Sequence, residues 1–183
     1  RWFNSAVTEM LPVDVAMIKI DDDIWHQSEH SASSISREIF AESHNPVDGE
    51  LLFFAGYSGQ RSQFYFGSLI TPGTPYLTQE STPPKDEKCF DPNCHFSLHY
   101  RPDLATSIDG NSSLPLPPGF SGSLVWNTKR VECLTKGIEW NPELAEVTGI
   151  LWGWSEANLF ATRVEYLNLA GMAERLAQLP REP

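Results

Sequence analysis

The segment Pro117-Pro118-Gly119-Phe120-Ser121-Gly122-Ser123-Leu124-Val125-Trp126 sets a serine between a bulky residue and a glycine, on a turn that runs into an apolar stretch. Nucleophilic serine chemistry needs a hydroxyl exposed on a constrained turn. It also needs backbone N–H groups aimed where a substrate carbonyl oxygen becomes an oxyanion. Glycine at 119 can turn its N–H towards such a site, the N–H of Ser121 is a second donor, and Gly122 leaves room for a substrate. Ser121 is therefore the candidate nucleophile, and Gly119 and Ser121 the candidate oxyanion hole. The same tetrapeptide also reads as an ordinary β-turn joining two strands, since Gly/Ser turns are common. One competing architecture is excluded by order. The G-x-S-x-G elbow has a second glycine where this chain has Ser123, and its histidine follows the serine, whereas no histidine lies after His99.

Other residue sets compete for attention. His26 to His30 reads H-x-x-E-H, an inverted zinc-peptidase pattern that needs both histidines on one helix face and a third ligand. Its flanks, DDDIW and SASS, do not make a long helix, so a solvated linker is the better reading. Cys89, Cys94, His95 and His99, with Cys133 further on, could form a structural zinc site, or Cys89 and Cys94 a disulfide. C-x4-C is looser than C-x2-C and no second matched pair follows, so ordinary loop and strand residues are expected. His95 and His99 as stand-in bases for Ser121 carry little weight, because their strand is out of phase with it. Asp21-Asp22-Asp23 reads as a solvated turn rather than a calcium site. No metal and no cofactor is assigned.

The elements that must position these groups follow from composition and pattern. The 183 residues suit one large domain or one and a half small ones, and 40% hydrophobic residues allow a real core. Fourteen prolines and twelve glycines point to many turns and short strands. Thirteen basic against 24 acidic residues give a net charge of −11, which disfavours nucleic acid and anionic membranes as partners. No apolar run is long enough for a membrane helix. Three cysteines do not make a disulfide framework, which favours a reducing, cytoplasmic setting.

Strands are expected at VDVAMIKI (13–20), ELLFFAGYSG (50–59), QFYFGSLIT (63–71), HFSLHY (95–100), GSLVW (122–126), EVTGILWGW (146–154) and LFATRV (159–164). Residues 24–34 read as linker, SSISREIFAES as a short helix, and 71–94 as loop. Glu165 to Leu179 carries helical spacing, with Leu169, Met172, Leu176 and Leu179 on one face. Strands first and one helix last predict an all-β fold, a barrel with a C-terminal α-helix packed on it.

Three segments together resemble the chymotrypsin/trypsin-like serine peptidases. GFSGSLVWN is similar to that family's nucleophile segment, EVTGILWGW to the strand lining its substrate groove, and FATRVEYL to its step into the C-terminal helix. VDVAMIKI resembles the strand headed by the triad aspartate, and GELLFFAGYSG the first strand of the second barrel. The likeness is greater to divergent bacterial trypsin-like peptidases than to digestive enzymes. It implies a double β-barrel: residues 1–30 as a remnant of the first barrel, 31–44 as linker, and 45–183 as the second barrel with its helix. It implies a serine endopeptidase with Ser121 as nucleophile and Asp14 as the group orienting a histidine. Trp152, Gly153, Trp154 and Pro115 would border the substrate, a protein or peptide that pairs with this edge in antiparallel fashion.

The resemblance also has gaps. The family order is His, Asp, Ser, and the first histidine here is His26, already past Asp14. The base is therefore expected from an N-terminal segment or chain outside this sequence, and the alternative is a pseudoprotease that keeps the fold as a protein-binding or regulatory module. Phe120 stands where the family's zymogens keep an acid, so activation by that ion pair is not expected. Leu114-Pro115-Leu116 carries no acid for a basic P1 residue, which predicts an uncharged P1 preference. An aspartate ahead of a strand is also a common turn residue.

Overall fold

A computed structural model of the protein describes residues 6–10, 12–27, 33–66, 68–85, 87–105 and 113–179. The chain begins with a hairpin of β1 (Ala6–Glu9) and β2 (Val15–Ile18), followed by a short helix α1 (Asp22–Gln27). The strands of the main body are β3 (Leu52–Gly56), β6 (Thr74–Thr78), β7 (Glu80–Ser81), β8 (His95–His99), β9 (Leu124–Asn127), β10 (Glu146–Trp154) and β11 (Asn158–Arg163). A separate hairpin, β4 (Gln63–Tyr65) with β5 (Ser68–Ile70), projects from it. Helix α2 (Arg130–Lys136) follows β9, and α3 (Leu169–Gln178) ends the described chain.

Among the described residues the main strands form one antiparallel sheet in the order β6-β3-β9-β10-β11-β8-β7. The two outermost strands, β6 and β7, are separated in sequence by Gln79 alone. One bent strand thus pairs with β3 at one end and β8 at the other, so the sheet curls back on itself. The Thr78 hydroxyl donates to the His99 carbonyl (2.6 Å) and the His99 N–H to the Gln79 carbonyl (3.1 Å), tying the bend down. The expectation of an all-β body with a C-terminal helix agrees with this architecture.

Alternate residues on each strand face inward, as the two-residue period requires. Leu52, Phe54, Leu98, Tyr100, Phe120, Val125, Leu151 and Leu159 make the core. Gly149 is there because of crowding: a Cβ on it would sit 2.6 Å from the Phe96 ring. A second, smaller core joins Val7 of the β1–β2 hairpin to Met172 and Leu176 of α3, with Val15 and Met17 against it. The spacing of Met172 and Leu176 is the helical stripe read from the sequence, although the helix begins at Leu169 after a 3₁₀ turn at Val164–Tyr166.

Several local expectations are corrected. Residues 63–71 hold a hairpin rather than one strand, with Phe66 in its turn at φ +47°. Residues 24–27 of the expected linker are helical, in a helix that starts at Asp22 within the expected Asp21–Asp23 turn, and 74–78 is a strand inside an expected loop. Residues 33–43 hold only a 3₁₀ turn, Arg37–Ile39, because the next backbone groups are taken by the sheet. Phe40 bridges Val147, and the Ala41 N–H donates to the Val147 carbonyl (2.9 Å). No helix among the described residues is long and apolar enough to cross a membrane.

Candidate functional site

Phe120 explains the shape of the serine turn. Its side chain is 2% exposed and packs edge-on against Phe54 (5.4 Å between centroids) and Tyr100 (5.7 Å). Space for it comes from Gly56, where a Cβ would lie 2.5 Å from the Phe120 ring. The turn is then sewn to β10 on both sides: the Gly122 N–H donates to the Leu151 carbonyl (2.8 Å) and the Leu151 N–H to the Ser123 carbonyl (2.9 Å). Ser121, one residue past the anchored ring, is exposed. The Phe120 N–H turns back to the Pro117 carbonyl (2.9 Å), whereas the N–H groups on either side of it, those of Gly119 and Ser121, have no acceptor among the described residues. Gly119 has φ +103° and Gly122 φ +87°, conformations in which a side chain is strained.

The Ser121 hydroxyl donates to the main-chain carbonyl of Trp152 (3.2 Å). Trp152 is the extra residue of a β-bulge, where the pairing steps from Leu151↔Ala161 to Gly153↔Phe160. Bulges re-aim a residue without breaking the strand, and they recur beside active sites. The Trp152 indole is half-buried, 4.7 Å from the His95 ring and 5.6 Å from Phe160. Its Nε1 is buried with no partner among the described residues. Gly153 lets the strand lie close to Phe160, 3.3 Å from where a Cβ would sit, and Trp154 is 50% exposed. Pro115 is buried, and its carbonyl accepts the Tyr100 hydroxyl (2.6 Å), whose pKa burial pushes up to about 12. Pro115 is thus a brace under the loop, and the neighbouring exposed side chain is Leu116.

Asp14 lies in the turn between β1 and β2, exposed, with φ +48°. Aspartate is among the few residues that tolerate this region. The turn is fastened to the outer face of the sheet by the Pro12 carbonyl, which accepts from His95 Nε2, and by the Val13 carbonyl, which accepts from the Thr162 hydroxyl (2.8 Å). The structure therefore brings Ser121, Trp152, His95 and the Pro12–Asp14 turn into one row of contacts.

No imidazole bonds Ser121 among the described residues. His95 Nδ1 accepts the Asp91 N–H (2.9 Å), so the ring proton sits on Nε2 and is donated to Pro12. Burial holds the His95 pKa below the ordinary histidine value, against the opposing pull of Pro12, Asp91 and Asp14. His44 is also fully engaged, by Thr148 (2.7 Å) and Glu80. His26 is on α1 and His99 on β8, both exposed. Glu29 and His30 of the H-x-x-E-H pattern lie outside the described residues. Cys89, Cys94 and Cys133 are free thiols, and among the described residues no three His, Cys, Asp or Glu side chains converge as metal ligands would.

Sequence reasoning missed the wall behind the turn. The Gly59 N–H donates to the Pro118 carbonyl (3.1 Å), the buried Ser58 hydroxyl to the Leu116 carbonyl (3.1 Å), and the Leu116 N–H to Gln60 Oε1 (2.9 Å). The signal available was the glycine pair of Gly56-Tyr57-Ser58-Gly59 at the end of an apolar strand. Comparison with protein-family models, with curated proteins and with solved structures finds no match to this chain.

Proposed function

We propose that the chain is the second-barrel part of a trypsin-like serine endopeptidase, with the β1–β2 hairpin as the remnant of a first barrel. One observation carries the reading: an exposed serine on a turn locked by its buried neighbour, flanked by two backbone N–H groups, Gly119 and Ser121, that donate to nothing else among the described residues. In this reading Ser121 attacks a peptide carbonyl, and the two N–H groups receive the developing oxyanion. Asp14 orients an imidazole supplied from outside the chain: among the described residues no imidazole bonds Ser121, and His44 and His95 have both ring nitrogens committed. Substrate backbone lies along Gly153 and Trp154, and Leu114-Pro115-Leu116, which carries no acid, selects an uncharged P1 residue. Selective cleavage after Arg or Lys contradicts that preference.

A second reading has its own support. The Ser121 proton is held by the Trp152 carbonyl, and a hydroxyl donating to a carbonyl is not being activated by a base. This favours a pseudoprotease that uses the same groove to bind a polypeptide. Treating the protein with a fluorophosphonate probe separates the two. Labelling that Ser121→Ala abolishes supports the peptidase. Absence of labelling in the presence of the histidine-bearing partner leaves the binding module.

A further inference from the structure

We propose that a groove on the outer face of the sheet, lined by none of the residues assigned to the serine site, binds an amphipathic monocarboxylate: an apolar chain ending in one carboxylate. The inference is independent of the peptidase reading. Leu77, Phe53 and Trp126 are direct cross-strand neighbours on β6, β3 and β9. They point away from the core, whose residues Leu52, Phe54 and Val125 alternate with them. This apolar row is the floor of a cavity of about 470 Å³, walled by Trp140, Pro142 and Ala145 from the connection between α2 and β10. That is the size and character of small-molecule pockets, which are mostly apolar with a few polar groups to fix orientation.

The polar group here is Arg130. Its guanidinium lies 5.0 Å over the Trp140 ring, which leaves its edge N–H donors free, and it makes no ion pair among the described residues. The other polar groups of the lining are already used. The Trp140 N–H donates to the Thr128 carbonyl (2.7 Å), and the Thr128 hydroxyl bonds Glu50. Of the acids on the flanking elements, Glu146 pairs with Lys129 (2.7 Å) and Glu132 with Lys136 (2.5 Å) rather than with Arg130. An apolar floor with one unneutralised, planar cation at its mouth matches one carboxylate on an apolar tail.

The test titrates the chain with decanoate, below micelle-forming concentrations, by calorimetry and tryptophan fluorescence, with 1-decanol as the uncharged comparison. Decanoate binds saturably at one site per chain, about tenfold tighter than decanol, as one charge-assisted contact allows. Arg130→Gln brings decanoate down to the decanol level and leaves decanol unchanged. Leu77→Glu, on an exposed side chain, abolishes decanoate binding by setting a like charge on the floor. The proposal is overturned if decanoate does not saturate or binds no better than decanol. It is equally overturned if either variant, native by circular dichroism, binds decanoate as the unaltered chain does. Should one variant fail to fold, the other decides.

Discussion

Gly119 lies so close to Tyr57 that a methyl group on its Cα would stand 2.5 Å from the Tyr57 carbonyl oxygen and 2.8 Å from the Gly59 nitrogen. Both neighbours are backbone and cannot swing aside. The backbone at 119 also has φ +103°, so a side chain is penalised twice. Gly122 has φ +87° but open space around it. Gly119→Ala is therefore expected to cost roughly 2–4 kcal/mol and Gly122→Ala only about 1 kcal/mol, measured by urea unfolding. Equal costs would mean that the wall behind the turn is not where the structure has it.

Asp14 separates two roles that one residue could fill. As a turn residue with φ +48° it needs only to tolerate that conformation, which asparagine does as well. Asp14→Asn should thus leave stability within about 0.5 kcal/mol. As the orienter of an imidazole it needs its charge. In the assembled peptidase the same variant should slow probe labelling of Ser121 by on the order of 10³–10⁴. Unchanged labelling assigns Asp14 to the turn alone.

Glu50 is 3% exposed, and its carboxylate holds the start of α2. It accepts the N–H groups of Val131 (2.9 Å), Glu132 (3.0 Å) and Leu51 (2.9 Å) and the Thr128 hydroxyl (3.2 Å). Burial alone would raise its pKa, but these donors favour the charged form and the net shift is downward. A lowered folded-state pKa contributes stability above the unfolded value, and that contribution is lost as pH falls through the folded one. Glu50→Gln should cost about 1–3 kcal/mol at neutral pH and flatten the acid limb of the stability curve below about pH 4.5. A variant with an unaltered acid limb excludes Glu50 as its source.

The three thiols differ in access. Cys89 is exposed, while Cys94 and Cys133 are 3% and 6% exposed. Burial, then the Asp91 charge, raises the Cys94 pKa and keeps it a poorly reactive thiol. Iodoacetamide should modify Cys89 in the native protein and the other two only in denaturant, read by mass spectrometry. Native-state modification of Cys94 would show that the Phe90–His95 corner opens.

The parts legible in the sequence were those whose cause is local. β10 and β11 carry long apolar runs bounded by polar turns, and the helix stripe of Met172 and Leu176 follows from spacing. What was hidden depends on distant partners. β6 contains Pro75, a breaker in a central strand, but the strand lies at the end of the sheet order, where proline is tolerated. Helix α2 is too short to form alone and its N-cap residue Lys129 supplies no side-chain cap; the Val131 and Glu132 amides are held by Glu50, some eighty residues earlier. At the candidate site the Ser121 turn was visible as a string of small residues. The Trp152 bulge and the commitment of His95 to Pro12 were not, because both are set by which strands become neighbours.

His44 fastens the connection before the sheet to three of its strands. Its ring stacks on Phe96 of β8 at 3.7 Å, Nδ1 bonds the buried Thr148 hydroxyl on β10, and Nε2 bonds Glu80 on β7. Thr148 is aimed at it by a second bulge, between Val147 and Gly149. The His44 side chain is 1% exposed and that of Glu80 47%, so the two partners should not be equivalent. His44→Ala leaves a cavity and an unpaired buried hydroxyl, and should cost roughly 2–4 kcal/mol. Glu80→Gln removes a half-solvated charge and should cost under about 1 kcal/mol at neutral pH. The hydrogen bond from His44, more than any other contact, holds the Glu80 pKa down, so its contribution is present at neutral pH and fades as pH drops below the ordinary carboxylate value of 4.5. Wild type and Glu80→Gln should thus converge in stability in acid while His44→Ala stays apart from both. If His44→Ala costs no more than Glu80→Gln in urea unfolding at neutral pH, the ring is not buried against Phe96.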